Sequence, residues 1–477
     1  MKKTFLFYDI ETSGRNPAFD QILQFAAIRT DLNLNELERH ELLIKLLPDA
    51  VPAPRAQLIH QIPLSASLSG TLEIEAMQQI HQWVNTPGTI SIGYNNLSFD
   101  DEFLRFAFYR NLLPPYTHQY ANQCGRADLY PILLLYFLFK PDVLHWPERN
   151  GKPSLKLEHL SKANQLAEGP AHQAITDVLA TLALARRLAK ESDIWQYALD
   201  YFEKKTATER TNKLTQAKIG SNSYPLALYV DGSLGYELQF ICPVLGLGSH
   251  RHYKNQTLWL RLDKPELTAT TTENLTQTTW VMRKKINETG FLLPMQPRFL
   301  QVLGAERQTI MAHNQNWLNR NSDLLEKIVE YYLEYRYPEI PNLDIDAALY
   351  QIGFYSDGEQ SLCVRFHQEL PDKKILFIDK FQNPNLRAQA IRLIARHYFE
   401  HLPEQYREEY LAYLQKVNPQ HPNEAPLDFR GEHRLTPKAA LQEIAELKSS
   451  GDLTSKQIEL LNELEQYLRG VFLLSDT

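Results

Sequence analysis

A chain of 477 residues, 43% hydrophobic and 22% charged, predicts a multi-domain globular protein able to bury sizeable cores. Three scattered cysteines, Cys124, Cys242 and Cys363, exclude a disulfide framework or cysteine zinc site and point to reduced thiols in a cytoplasmic protein. The net charge of −7 speaks mildly against nucleic acid, the apolar run after Lys3 is too short for a signal peptide, and no later run could span a membrane.

Phe5 to Gly14 (FLFYDIETSG) reads as a strand that ends on two carboxylates. Residues i and i+2 of a strand face the same way, so Asp9 and Glu11 project together while Ile10 turns back into the packing. Two adjacent carboxylates repel unless a cation or a proton lies between them, and such an oxygen pair suits Mg²⁺ or Mn²⁺. Solvated acids at a strand end are the plain alternative. Gln21–Thr30 and His40–Leu47 read as the next strands of an antiparallel meander. Thr71–Val84 follows as a helix, Thr89–Gly93 as a buried strand, and Phe99–Arg110 as a helix capped by Ser98. Leu129–Leu138 is apolar enough for a core helix, and Ser154–Ala163 and Ala174–Lys190 complete the set. Strands first, then strand and helix in alternation, predict an α/β layered domain over residues 1–192.

The composition then changes. Glu203–Ser223 is polar and basic and reads as a helix running into a linker. From Tyr224 to about Leu303, short alternating segments between Gly, Pro and Asn predict a small β domain, set at residues 193–341. Its basic residues cluster in sequence, Arg251, Lys254, Arg261 and Lys264 in one group and Arg283, Lys284 and Lys285 in another. From about Asn342 the pattern turns helical, with runs at Asn385–His401, Glu404–Gln415, Pro437–Lys448 and Ser455–Phe472. These mark a helical domain over residues 342–477.

Three more residues join the first two acids. Asp100 opens a helix directly after a strand, where an α/β sheet normally hosts a site, and physics alone does not separate it from Asp101. His172 and Asp177 are five apart, about 140° on a regular helix. They can share a site if His172 lies on the loop before the helix and Asp177 within it. A loop histidine beside a metal cluster suits a general base for water, although alone it reads as a surface residue.

Asp9-x-Glu11, Asn96-x-x-Phe-Asp100 and His172-x4-Asp177 together resemble the three exonuclease motifs of the DEDD superfamily in its histidine-bearing branch. Gly93-Tyr-Asn-Asn96, Phe99-Asp-Asp-Glu102, Leu157-Glu-His-Leu160, Phe354-Tyr-Ser-Asp357 and Phe377-Ile-Asp-Lys380 extend the resemblance to the bacterial exonuclease I family over nearly the whole chain. The resemblance implies an RNase H-like exonuclease domain, an SH3-like β domain and a C-terminal helical domain. It also implies 3′→5′ hydrolysis of single-stranded DNA to 5′-mononucleotides, in DNA repair and recombination, by a monomer. Asp9, Glu11, Asp100 and Asp177 would hold two Mg²⁺ ions, which Mn²⁺ could replace, and His172 would take a proton from water. Matching positions make Glu11, Arg105, Tyr116, Tyr120, Lys140 and Lys156 substrate contacts. The family further implies docking of the acidic tail of single-stranded-DNA-binding protein, for which the basic clusters of the middle domain are the expected surface.

Three places depart from the family pattern: Ser13 stands where an aromatic ring usually follows the motif threonine, Leu134 where an arginine is expected, and Lys380-Phe381 differs from the usual Asp-Lys-Arg run in the third domain. The competing readings are an RNase T- or oligoribonuclease-like enzyme acting on RNA, usually a shorter single domain, and a non-catalytic nucleic-acid scaffold. A fragment ending near Lys190 is expected to keep cleavage of short oligomers and to lose its hold on long strands.

Overall fold

The computed structural model describes residues 2–167 and 173–473. Its first sheet runs β3-β2-β1-β4-β5, with β1 (Thr4–Thr12), β2 (Ile22–Thr30) and β3 (Glu36–Leu43) antiparallel. β4 (Thr89–Gly93) and β5 (Gly125–Asp128) run parallel to β1. The alternation of β1 sorts the layers. Leu6, Tyr8 and Ile10 pack on one face against Met77 and Ile80 of α1 (Glu73–Val84) and Phe103 and Leu104 of α2 (Asp100–Arg110). Phe5 and Phe7 pack on the other face, in one cluster with α3 (Leu129–Phe139) and α4 (Ala174–Leu188). Asp9 and Glu11 therefore continue the face that α4 covers.

α3 (LYPILLLYFLF) is apolar almost all round, as a helix must be when it is covered on every side. Its second cover is the middle domain. The cluster that holds Phe7, Leu133 and Val178 continues without a break through Tyr201 into Leu228, Val230 and Phe291. Phe137 meets Phe240 edge to face with ring centres 5.8 Å apart. A cut after Lys190 would strip this face. The fragment is therefore expected to bind a hydrophobic dye and aggregate, so its independent activity, as read from the sequence, does not follow from this packing. A sharp, monomeric elution peak with normal near-UV dichroism would contradict this.

The middle domain is one antiparallel sheet of order β10-β9-β8-β7-β11, with β6 paired to β7. These strands are β6 (Thr215–Ile219), β7 (Asn222–Val230), β8 (Ile241–Ser249), β9 (Gln256–Arg261), β10 (Val281–Lys285) and β11 (Phe291–Leu293). The helix expected from Glu203 is present at Lys204–Asn212, but the segment expected as a linker after it is β6, an edge strand whose polar residues face water. The helical region begins earlier than its sequence suggests, with α5 (Gly304–Arg320) and α6 (Ser322–Glu334) packed on the sheet through Leu318, Leu325 and Ile328. α5 buries little, but its Asn314 amide donates to the carbonyls of Leu262 and Lys264 at 2.8 Å each, a polar anchor without apolar periodicity.

The C-terminal helices run Pro384–Tyr398, Glu404–Val417, Pro437–Ser449 and Ser455–Leu468, close to expectation. They dock on the first domain, whose Val51, Ile74 and Leu112 join their core. Beside that contact Asp49, 1% exposed, takes Arg396 at 2.7 Å and the Tyr413 hydroxyl at 2.8 Å. Arg396 also reaches Asp346 at 2.6 Å.

Candidate active site

The site lies where β1 and β4 end and α2 and α4 begin. Ligand atoms of Asp9, Glu11 and Asp177 all lie within 4.8 Å of one another. Asp9 and Glu11 come from the same side of β1, and Asp177 from the first turn of α4 above it. Asp100 arrives from the opposite layer as the first residue of α2, 6% exposed. Gly93 lets it come so close: a Cβ there would sit 2.7 Å from the Asn96 Cβ and 2.9 Å from the Tyr8 carbonyl oxygen. Asp128 then fixes the turn, its carboxylate accepting from the amides of Asn95 (2.8 Å), Tyr130 (2.9 Å) and Leu97 (3.2 Å). Sequence reasoning passed over Asp128, although an aspartate directly before an apolar helix is an N-cap signal. The Ser98 cap is not formed. Ser98 donates to Asn95 instead, at 3.0 Å to its carbonyl and 2.9 Å to its side-chain oxygen, and Phe99 precedes the helix without a side-chain cap.

The electrostatics separate Asp100 from Asp101. Burial raises both, but Asp101 is held well below the usual carboxylate range by Arg126 at 2.6 Å and Arg105 at 3.1 Å, with His118 at 2.9 Å. Burial pushes Asp100 up to about 8, the neighbouring Asp128 and Asp101 adding to the effect. Burial, then Asp177 and Asp100, push Glu11 up to about 8 as well. Asp9 is raised by burial and then by Asp100, Asp177 and Glu11. A set of buried carboxylates that raise one another is what hard divalent cations neutralise, and oxygen-only donors fit Mg²⁺ or Mn²⁺. His172 lies outside the described residues.

Asp9 and Asp177 open on a cleft of about 920 Å³. Lys156 stands on its rim with a side chain 73% exposed, and Tyr94 and Tyr130 meet edge to face within it, ring centres 5.6 Å apart. The sequence did not single out Ile59, half-exposed on a short helix across the cleft, or the wall that the middle domain adds with Asp231, Gly232 and Thr289. Gly232 presses on Tyr130 so closely that a Cβ would lie 2.4 Å from its ring.

The other expected strand contacts lie elsewhere. Arg105 is buried on Asp101 with its guanidinium 6.0 Å from the Tyr350 ring centre. Tyr116 meets Phe354 of the C-terminal domain at 6.0 Å, and Tyr120 is 69% exposed; both border a second cleft between the first and third domains. Lys140 follows the 11-residue α3, roughly 16 Å from the end at the active site, and pairs with Glu191 at 3.0 Å. Ser13 is buried and accepts from the Gln21 amide, and Leu134 is wholly in the core. The basic clusters also thin out. Arg261 is buried on Asp263, Lys284 donates to three backbone carbonyls inside the fold, and Arg251 is held by Glu330 and Glu334.

Residues 6–185 match the family model described as Exonuclease, and residues 343–471 the one described as Exonuclease I C-terminal domain. Exodeoxyribonuclease I of Escherichia coli K12 is 32% identical over 405 residues, which are 80% of this chain and 83% of that one. The crystal structure of E. coli exonuclease I in complex with an oligonucleotide superposes with a TM-score of 0.85 at 25% identity, covering 98% of this chain and 100% of that one. A zinc-bound form of the E. coli complex with single-stranded DNA superposes with a TM-score of 0.84 at 25% identity, covering 99% of this chain and 100% of that one.

Proposed function

Because the chain belongs to the exodeoxyribonuclease I family, we infer that it is a 3′→5′ exonuclease of single-stranded DNA that releases 5′-mononucleotides. The observation that supports this best is the convergence of Asp9, Glu11 and Asp177 from β1 and α4, with Asp100 reaching the same place from the other layer. These four residues would hold two divalent ions, Mg²⁺ with Mn²⁺ as a substitute, and Asp100 is assigned through its electrostatic hold on Asp9 and Glu11. Bound there, such ions would supply a lowered pKa for water and stabilisation of charge on the departing 3′ oxygen. His172 accepts the proton of the attacking water. The new P–O bond forms as the P–O3′ bond breaks, leaving a mononucleotide and a fresh 3′ hydroxyl. Lys156 neutralises a phosphate at the rim, and the Tyr94–Tyr130 pair offers ring surface to a base without reading sequence.

Arg105, Tyr116, Tyr120 and Lys140 are assigned to the strand by family position, Tyr120 with the most ring exposed to stack. An RNase T-like reading is disfavoured by the matched C-terminal domain. The protein acts in DNA repair and recombination, as a cytoplasmic monomer; among the described residues no helix is long and apolar enough to cross a membrane. The deciding assay uses end-labelled DNA and RNA oligomers with Mg²⁺. DNA should be shortened from its 3′ end, and His172→Ala should lose on the order of 10²–10⁴ in rate while still binding metal. RNA as the better substrate, or shortening from the 5′ end, would sink the reading.

The acidic tail of single-stranded-DNA-binding protein docks on the middle domain in this reading, through the basic residues that stay exposed. Binding of a tail peptide is expected at low salt and should weaken steeply as salt is added. No binding at low salt would remove the assignment.

A further inference from the structure

The turn between β10 and β11, residues 286–290, touches the first domain, and it is braced from inside the middle domain. The buried Lys284 ammonium donates to the carbonyls of Lys285 at 2.9 Å, Glu288 at 2.8 Å and Thr289 at 3.1 Å. Glu288 leaves this turn with its carboxylate 3.2 Å from the guanidinium of Arg126, on β5 of the first domain. An ion pair across a domain boundary has an ordinary use as glue, yet these two domains are already joined by a continuous apolar core. What lies behind Arg126 sets this pair apart. Arg126 turns its other terminal nitrogen to Asp101 at 2.6 Å, and Arg105 and His118 reach the same carboxylate at 3.1 and 2.9 Å. Two guanidinium groups thus converge on one buried carboxylate, and Glu288 supplies Arg126 with a second. Although burial raises the Glu288 carboxyl, Lys285, Arg126 and Arg105 hold it below its usual range, so it carries the balancing charge.

We propose that Glu288 is a positioning residue for the metal site of the first domain, acting through Arg126 to fix Asp101 and with it the direction of Asp100. The proposal rests on the assignment of Asp100 as a metal ligand made above. Asp100 and Asp101 open α2 side by side, and neighbouring residues of a helix point about 100° apart. With Asp101 pinned among Arg105, Arg126 and His118, Asp100 is left directed at the other acids, where its charge acts on Asp9 and Glu11. Removing the Glu288 charge leaves Arg126 to draw on Asp101 alone, and the first turn of α2 loses its fixed bearing. Metal sites respond to such changes, since groups that orient a ligand are worth about 10–100-fold in affinity or activity. The middle domain thereby contributes to the site a residue that contacts neither the metal ligands nor the reacting atoms.

The test compares the full-length protein with Glu288→Gln, which keeps the shape and removes the charge, and with Glu288→Asp, which keeps the charge. Mn²⁺ binding would be measured by calorimetry without DNA, alongside kcat and KM on a short DNA oligomer in Mg²⁺ and thermal melting in chelator. Glu288→Gln should raise the Mn²⁺ dissociation constant about tenfold, the low end of the range for groups that orient ligands, because it acts at two removes. Its kcat at limiting Mg²⁺ should fall while KM for the oligomer stays at the parent value. Glu288→Asp should bind Mn²⁺ more tightly than Glu288→Gln. Parent-like Mn²⁺ affinity in Glu288→Gln, with a lower melting temperature alone, would overturn the proposal and leave the ion pair as glue. A raised KM at unchanged Mn²⁺ affinity would overturn it as well, and so would equal affinities in the two variants. A parent protein that binds no Mn²⁺ would overturn the metal reading itself, and the proposal with it.

Discussion

Asp9→Asn is expected to abolish nuclease activity, a loss of roughly 10⁴ or more, while making the metal-free protein no less stable. The two effects have one cause. Asp9 is raised by burial and by three other carboxylates, Asp100, Asp177 and Glu11, so removing its charge relieves repulsion in the folded state. The same charge is what a divalent cation needs, and a metal ion contributes several kcal/mol of transition-state stabilisation, each 1.36 kcal/mol being about tenfold in rate. Asp177→Ala should behave alike, because it removes another member of the 4.8 Å cluster. The checks are initial rates with Mg²⁺ and thermal melting in chelator. Near-normal turnover by either variant would end the metal assignment. A large drop in melting temperature would mean that these acids hold the fold together.

Asp49→Ala should have the largest effect on stability. Although burial raises the Asp49 carboxyl, Arg396 and Arg434 hold it well below the usual range, and the Tyr413 hydroxyl donates to it. Removing one partner leaves two guanidinium groups buried beside a hole, which costs about 3–5 kcal/mol in such pairs. The loss should appear as a lower urea midpoint and as separation of the C-terminal helices from the first domain. Asp346, held at about 2 by Arg396 and Arg392 against the effect of burial, belongs to the same network. Both carboxyls have folded pKa values below the unfolded value near 3.9, so their stabilisation is complete above about pH 4. It is lost as the pH falls from there towards 2. The parent should therefore lose stability over that window more steeply than Asp49→Ala. A variant within about 1 kcal/mol of the parent would show that the network contributes little.

Much of the site was legible because it follows local rules. Asp9 and Glu11 share a face by strand period, and Asp177 was placed by the apolar run of its helix. Asp100 and Asp101 could not be separated, because the difference is made by Arg105, Arg126 and His118, which come together only in the fold. The basic run at 283–285 was read as one cluster, although the same period of two that paired Asp9 with Glu11 sends Lys284 inward between its neighbours. α5 escaped notice because it has few apolar positions and rests on Asn314, a contact that no hydrophobic period announces, whereas α6 was passed over although Leu325, Ile328 and Tyr332 recur at helical spacing. The strand expected at His40–Leu47 lies at Glu36–Leu43. Its charged residues suit a sheet edge, and Ile44 leaves to pair with Thr71. What no local pattern could show is that α3 is shared between two domains.

That shared helix bears on how the protein is made. A ribosome releases the chain from its N-terminus at about 5–20 residues per second, and domains usually fold as they emerge. Here the sheet that carries Asp9 and the helix that carries Asp177 share a core with Phe291, and Thr289 walls their cleft. From Lys190 to Leu293 roughly 100 further residues must be added, on the order of 5–20 s. During that interval the sheet core between Leu6 and Phe108 is already complete, but α3 still lacks the cover that Leu228, Val230 and Phe291 give it. The nascent first domain therefore presents an apolar face until the middle sheet closes over that helix.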